Sequence, residues 1–370
     1  MKILVITHSG NLIYGAAKSL GYILKNLDVE FDLIHDHYLL KTTSMEEINK
    51  YAGVKMRDSF VFHLPYIGKI VLNEEKLSLF TRVRRRLSDI KNLLSYTLDK
   101  RKIYKLIESN NYDIIYLNSL VLFPLITNKY KFVVHVRELY NGISKKNVYS
   151  RLRRAKKLIF IDESTREALK DVKVPSVVLN NPVDMYQLRF MNRKELEIAY
   201  NLQNKVIFSI FGNIIVAKGI HYVIGEFIKS ASHNSVLLIV GDGDIDYLKQ
   251  CKTLAKNDSR IRFMSQRNNI DELYFVSDYV IRGDQLFAIG RTIYEALYAD
   301  CEVIIPGEES DLSKMFDLDM YKNSIHLYSP RSNELQDKFN RLSHIRVEKR
   351  EFHSNTQEYM RIFREIVNEI

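Results

Sequence analysis

Val206-Ile207-Phe208-Ser209-Ile210-Phe211-Gly212-Asn213-Ile214-Ile215-Val216-Ala217-Lys218-Gly219 runs from an apolar, β-branched stretch through a glycine turn into a helical pattern at 217–230. A buried parallel strand and its crossover helix read this way. The unit recurs outward from here. Candidate strands at 205–211, 235–240, 260–264, 278–281 and 302–305 alternate with helical patterns at 217–230, 243–254, 269–276 and 290–299. Upstream, candidate strands at 2–7, 31–35, 113–117, 131–136 and 157–161, with a helix at 15–27, form a second series. Each series suffices for one doubly wound domain, and 370 residues exceed what one core usually serves. The pattern breaks near 180–204, where Asn180-Asn181-Pro182-Val183-Asp184 punctuates it. Residues 354–369 read as a last amphipathic helix, and 73–109 as one or two basic amphipathic helices placed before the strand at 113–117.

Composition narrows the class of function. Apolar residues make up 46% and charged residues 27%, an ordinary globular balance. No apolar run reaches 18 residues, so no membrane-spanning helix is expected. Met1 to Thr7 is too short an apolar run for a signal peptide and lacks a cleavage site. Cys251 and Cys301 make neither a disulfide framework nor a zinc site, which fits a reducing cytoplasm. The net charge is +10. It is concentrated in two runs: Arg82, Arg84, Arg85, Arg86, Lys91, Lys100, Arg101, Lys102 and Lys105, then Lys145, Lys146, Arg151, Arg153, Arg154, Lys156 and Lys157. These are either solvated helix faces or a surface for anionic lipid headgroups. No nucleic-acid module appears, and nucleic acid is not an expected partner.

In parallel sheets ligands gather at the carboxyl ends of strands, where helix N-termini attract anions. Four strand-to-helix turns are therefore candidates. Thr7 to Ala16 contains Gly10 and Gly15 but not the GxGxxG dinucleotide spacing, so a nicotinamide cofactor is not supported. Phe211 to Gly219 places Lys218 at a helix start, as a solvent lysine or a point charge for a diphosphate. Val240-Gly241-Asp242-Gly243-Asp244 makes a tight turn in which Asp242 is positioned to cap the next helix. Asp278 to Ala296 ends a strand, opens a loop and starts a helix near Gly290, with Glu295 early in that helix. Glu295 is either a surface residue or an acceptor for ribose hydroxyls. His135, at a strand end before Val136-Arg137-Glu138, is either structural or a substrate or proton-transfer group.

These turns together resemble the retaining GT-B glycosyltransferases of the large family 4 group. The resemblance is carried by Gly212-Asn213 with Lys218-Gly219, by Gly241-Asp242-Gly243, and by Ile261-Arg262-Phe263-Met264-Ser265 through Ser277-Asp278. Gly290-Arg291-Thr292-Ile293-Tyr294-Glu295-Ala296-Leu297 is similar to the family's FGxxxxEAM signature, and Cys301 to Pro306 follows it. In the first half Gly15-Ala16-Ala17-Lys18-Ser19-Leu20, Asn118-Ser119, His135 to Glu138 and Asn181-Pro182-Val183-Asp184 agree more loosely.

The resemblance implies a GT-B fold: two Rossmann-like doubly wound domains facing each other across a cleft. The acceptor domain would be 1–184 and the donor domain 185–353, with a helix in 354–370 crossing back to the first. It implies transfer of a sugar from a nucleotide-sugar donor to a glycan or lipid-linked acceptor, as in surface polysaccharide or glycoconjugate synthesis. His135, Lys218 and Glu295 would be the catalytic groups. The donor side would comprise Gly15, Gly212, Asn213, Lys218, Gly219, Arg267, Phe287, Ala288, Ile289, Gly290, Arg291, Thr292 and Glu295. The acceptor side would comprise His8, Asn11, Tyr14, Asn118, His135, Arg137 and Glu138. No cofactor and no metal are expected, since Lys218 can carry the diphosphate charge. Location would be cytoplasmic or peripheral on the inner membrane face. Two departures stand out: Phe287 occupies the place of the family's first glutamate, and Asn213 that of an arginine. They open an alternative, a catalytically degenerate GT-B subunit that binds glycan or a partner glycosyltransferase.

Overall fold

A computed structural model describes the chain except residues 9–11, 13, 14, 42, 68, 69, 71–78, 266–268, 286, 288 and 331. The chain divides into two compact units, Met1–Pro182 with Gln357–Ile370, and Val183–Thr356.

The first unit is built on a seven-stranded sheet. Its strands are β1 (Ile3–Thr7), β2 (Phe31–Asp36), β3 (Met56–Phe62), β4 (Ile114–Leu117), β5 (Phe132–Val136), β6 (Lys157–Phe160) and β7 (Ser176–Val178). All pairings are parallel, in the order β3-β2-β1-β4-β5-β6-β7. Both faces are covered, which is why the inner strands are largely apolar, with polar residues such as Asp32 and His135 buried among them. Leu4, Ile6, Ile115, Leu117, Val134 and Val136 enter one core. Their alternates Ile3, Val5, Ile114, Tyr116 and Val133 enter the other. The last helix, Thr356–Asn368, closes that second face with Tyr359, Met360, Phe363, Ile366 and Val367. The rings of Phe363 and Tyr116 meet edge-on at 5.6 Å.

The second unit repeats the plan with six parallel strands in the order β10-β9-β8-β11-β12-β13. These are β8 (Val206–Phe211), β9 (Ser235–Val240), β10 (Ile261–Met264), β11 (Tyr279–Ile281), β12 (Glu302–Pro306) and β13 (Ile325–Tyr328). Ile207, Val236, Leu238, Val280 and Val303 pack on one face, and Phe208, Leu237, Ile239, Tyr279 and Ile304 on the other. In both sheets the strand order reverses beside the first strand, between β1 and β4 and between β8 and β11. Such a reversal is where adjacent crossovers diverge and leave a crevice.

Three strands lie outside the sequence reading: β3, β7 and β13, each the last strand at a sheet edge. Basic residues 79–110 form one helix, Leu79–Asn110. The helix Ile245–Ala255 is capped by Asp244, whose carboxylate accepts from Tyr247 N at 2.9 Å, and not by Asp242 as the turn suggested. The two-residue difference follows from Gly243, which joins the turn to Ile214 through a parallel bridge and delays the helix.

Candidate functional site

The carboxyl ends of β8, β9 and β11 are drawn together by bare backbone. A Cβ on Gly219 would lie 1.8 Å from the carbonyl oxygen of Gly283, and one on Gly241 would lie 2.0 Å from that of Gly212. Gly219 also has φ +58°. Only glycine allows this approach with that backbone. The result is that Lys218, after β8, reaches the loop after β11. Its Nζ donates to Asp284 Oδ1 at 3.2 Å, and Arg282 Nε donates to Asp284 Oδ2 at 2.6 Å. Burial, then the positive charge of Arg282, lowers the Lys218 ammonium from its ordinary value. Burial opposes ionisation of Asp284, but Arg282 and Lys218 outweigh it and hold the carboxyl below its usual range.

The helix Arg291–Tyr298 begins beside this group. Its N-cap is Gly290, which supplies no side-chain cap. A Cβ at Gly290 would stand 3.1 Å from Arg282 Nη1, so the guanidinium lies against the helix entry. Two cations, one shared carboxylate and a helix N-terminus carry net positive potential, the arrangement that holds a phosphate group. Asn213 is exposed on the turn that precedes Lys218.

Glu295 is buried, at 4% exposure, one turn into the helix. Its Oε1 accepts from Arg291 Nε at 2.8 Å and its Oε2 from Tyr274 Oη at 2.9 Å. Tyr274 is itself stacked on Phe211, at 3.9 Å between centroids. The carboxylate is thus held rigidly at the helix start. Thr292 and Ile289 are half-buried beside it. Phe287 packs against the second core, its ring edge 2.6 Å from where a Gly307 Cβ would fall and with Lys314 Nζ 5.6 Å from its centroid. It presents carbon where a glutamate would present oxygens.

In the first unit Arg137 is the organising residue. Its Nε donates to Asn118 Oδ1 at 2.7 Å, its Nη1 to Asn181 Oδ1 at 2.7 Å, and its Nη2 to His135 Nδ1 at 3.3 Å. This gathers the ends of β4, β5 and the segment after β7. A guanidinium only donates, so His135 Nδ1 accepts and the ring proton resides on Nε2. His135 is fully buried, and burial with the nearby Arg137 charge drives its pKa well below the ordinary value. His135 Nε2 and Asn118 Nδ2 have no partner among the described residues. Both are donors. His135 therefore reads as a neutral hydrogen-bond donor rather than a proton shuttle.

Glu138 is committed otherwise. Its carboxylate accepts from Ser119 Oγ at 2.5 Å and from Leu120 N at 3.1 Å, bracing the loop after β4. His8, after β1, is 5.3 Å from Tyr66 between ring centroids, and burial lowers its pKa. Gly15 opens the helix Gly15–Lys25, and a Cβ there would meet nothing within 4 Å among the described residues. Asn11, Tyr14, Arg267 and Ala288 lie outside the described residues.

Several members escape a reading by motif. Arg282 and Asp284 stand in Ile281-Arg282-Gly283-Asp284, where a charge directly after a buried strand was the available signal. Tyr274, which donates to Glu295, and Tyr116, whose Oη lies 2.6 Å from His135 Nδ1, are recognisable only through their partners in space. So is the group formed by His37, His63 and Asp99 at the ends of β2 and β3. There the two imidazoles lie tilted with centroids 4.6 Å apart, and His63 Nδ1 is 2.8 Å from Asp99 Oδ2.

Two parallel Rossmann-like units, each with polar groups gathered at the carboxyl ends beside its strand-order reversal, have the GT-B fold, the fold of several solved glycosyltransferases. The chain is similar over its whole length to Anabaena HepE solved in complex with UDP, with 16% identity, TM-score 0.70 and 100% of each chain covered. It is similar to sucrose-phosphate synthase from Thermosynechococcus elongatus, with 13% identity, TM-score 0.68 and 100% of each chain covered. The lipopolysaccharide outer core galactosyltransferase WaaB aligns with 13% identity, TM-score 0.63 and 100% of each chain covered. Among protein-family models and curated sequences, none matches the chain.

Proposed function

We propose that the protein transfers a sugar from a nucleoside-diphosphate sugar to a glycan or lipid-linked acceptor, with retention of anomeric configuration. The second unit binds the donor. Lys218 and Arg282 take up charge on the leaving diphosphate, without a divalent metal, and the N-terminus of Arg291–Tyr298 faces the same group. Glu295, fixed by Arg291 and Tyr274, accepts from ribose hydroxyls. In the first unit His135 and Asn118 donate to sugar or acceptor oxygens, and Gly15 leaves backbone bare for the substrate. The observation that carries the reading is the Lys218–Asp284–Arg282 group at the strand-order reversal, beside an uncapped helix N-terminus. UDP and UDP-glucose are the probes of choice, since HepE, of the same fold, was solved with each.

Titration calorimetry with UDP, UDP-glucose, GDP and GDP-mannose tests this. We expect one nucleotide to bind and Lys218→Ala to weaken it roughly 10- to 100-fold, the worth of one charge-assisted hydrogen bond. If none binds, the donor site is absent. The degenerate-subunit reading would then stand, which the packed, apolar Phe287 favours.

A further inference from the structure

We propose that the Leu79–Asn110 helix is an in-plane anchor that seats the protein on an anionic lipid bilayer. Val83, Leu87, Ile90, Leu94 and Leu98 recur at helical spacing and form one stripe. All are exposed, Leu87 at 63%, Leu94 at 65% and Leu98 at 79%. The stripe spans roughly 24 Å at 1.5 Å per residue. Leu93, also exposed, widens it. A continuous apolar strip of this length on a surface calls for a covering partner.

The described residues of the unit do not cover it, because the helix is already packed by its other face. Tyr96, Ile103 and Ile107 enter the core of the first unit. Asp99 accepts from His63 N at 3.0 Å and contacts its ring, and Asn92 accepts from Tyr38 Oη at 2.7 Å. The stripe lies on the side turned away from these residues.

Charge identifies the occupant. At 100° per residue, Lys91 and Lys102 flank the stripe on one side and Lys100 on the other, while Arg101 and Lys105 continue its line beyond Leu98. All five are exposed, and of these Lys102 pairs with Asp99 at 2.9 Å. Between residues 79 and 105 the sequence has nine lysines and arginines against two acids, and one of these, Asp99, is buried. A partner helix would need a matching all-acidic border on both sides. A headgroup layer above acyl chains offers anionic and apolar surface in that same cross-section. No helix among the described residues is long and apolar enough to cross a membrane, so the contact lies in the plane. The second basic run contributes less: Lys145 pairs with Asp171, Lys157 with Glu369, and Arg151 donates to the Ile126 carbonyl.

The anchor also places chemistry. Through Asp99 and Asn92 the same helix grips the residues after β3 and β2, so the polar carboxyl end of the first sheet is tied to the lipid-facing helix. This seat is independent of which donor is used, or of whether sugar is transferred.

Co-sedimentation of the full chain with vesicles of phosphatidylcholine containing phosphatidylglycerol, and of phosphatidylcholine alone, tests the proposal. Binding is expected to the anionic vesicles, to weaken with salt, and to fall about a hundredfold or more in Leu87→Ser/Leu94→Ser/Leu98→Ser. The substituted residues are exposed, so the thermal transition of that variant should match the parent. The chain has no tryptophan. In Leu94→Trp the single indole should therefore shift to the blue on anionic vesicles. Binding that salt abolishes but the triple variant leaves intact, or an unshifted indole, overturns the anchor. So does absence of vesicle binding, including the case where the parent self-associates through the stripe and the triple variant does not.

Discussion

Gly219→Ala puts the construction of the second unit to a quantitative test. The new methyl would stand 1.8 Å from the Gly283 carbonyl oxygen and 2.6 Å from its carbon. Ordinary contact begins near 3.4 Å, so the two backbones must part by about 1.5 Å. The φ of +58° adds a left-handed penalty of about 1–2 kcal/mol for any residue with a Cβ. Forced separation of packed segments costs about 1–3 kcal/mol more. For a unit of this size the sum lowers the melting temperature by roughly 5–15 °C. The segments that part carry Lys218 on one side and Arg282 and Asp284 on the other, so the 3.2 Å Lys218–Asp284 contact opens with them. A displacement of about 1 Å at a charge-stabilising site costs on the order of a hundredfold in activity. UDP affinity should show a loss of the same kind. Gly225→Ala is the internal control: it sits in the helix Ile220–Ser230, with nothing within 4 Å of its Cβ among the described residues. It should be neutral or stabilise by up to about 1 kcal/mol. Scanning calorimetry and UDP titration on both variants decide the matter. If Gly219→Ala melts with the parent and binds UDP as tightly, the interlocked backbone is not what positions these charges.

Two further outcomes follow from buried polar groups. His35 is fully buried, its Nε2 2.8 Å from Ser59 Oγ, and burial pulls its pKa to about 4 from 6.5. The fold holds the neutral ring, so its contribution is complete above pH 6.5 and is lost as pH falls toward 4. That is about 2 kcal/mol between pH 7 and pH 5, and His35→Gln should flatten the urea-midpoint profile across that range. Asp278, also fully buried, accepts from Arg193 Nη2 at 2.7 Å, Ile207 N at 2.8 Å and Val347 N at 2.9 Å. Asp278→Ala should cost about 3–5 kcal/mol in urea unfolding with an unchanged slope; a loss below about 1 kcal/mol would mean that water replaces the carboxylate.

What the sequence made legible follows burial. Strands covered on both faces, such as β8 and β9, are apolar at all but one position each, a buried serine, and stand out. The unforeseen β3, β7 and β13 are edge strands, partly exposed and with polar residues such as Arg57, Asp58 and His326. Half-covered strands lose the continuous apolar run that announces the others. Lys218, Gly219 and Glu295 were singled out by the family resemblance, since a charge at a strand-to-helix turn by itself leaves a solvent role equally open. Arg282 was not, since its significance lies in meeting Lys218 across Asp284, a relation of space rather than of order. Glu138 shows the converse: a polar residue in a motif-like position whose carboxylate is taken up by Ser119 and Leu120 of the neighbouring loop after β4.

The two departures from the family pattern weigh unequally once the geometry is known. An arginine at position 213 would add a cation at the end of β8. In its absence Arg282 supplies a cation from β11, oriented by Asp284 and lying against the helix entry at Gly290. The proposed diphosphate site therefore keeps two positive charges, and Asn213 need not weaken it. Phe287 is different. No described carboxylate takes its place, for Asp284 is held between Lys218 and Arg282, and Glu295 between Arg291 and Tyr274. Releasing either would strand a buried cation or hydroxyl, at a cost comparable to the hydrogen bond gained. Under the proposed function, recognition of the nucleotide and recognition of the sugar are thus separable, and the change at Phe287 would fall on the sugar alone.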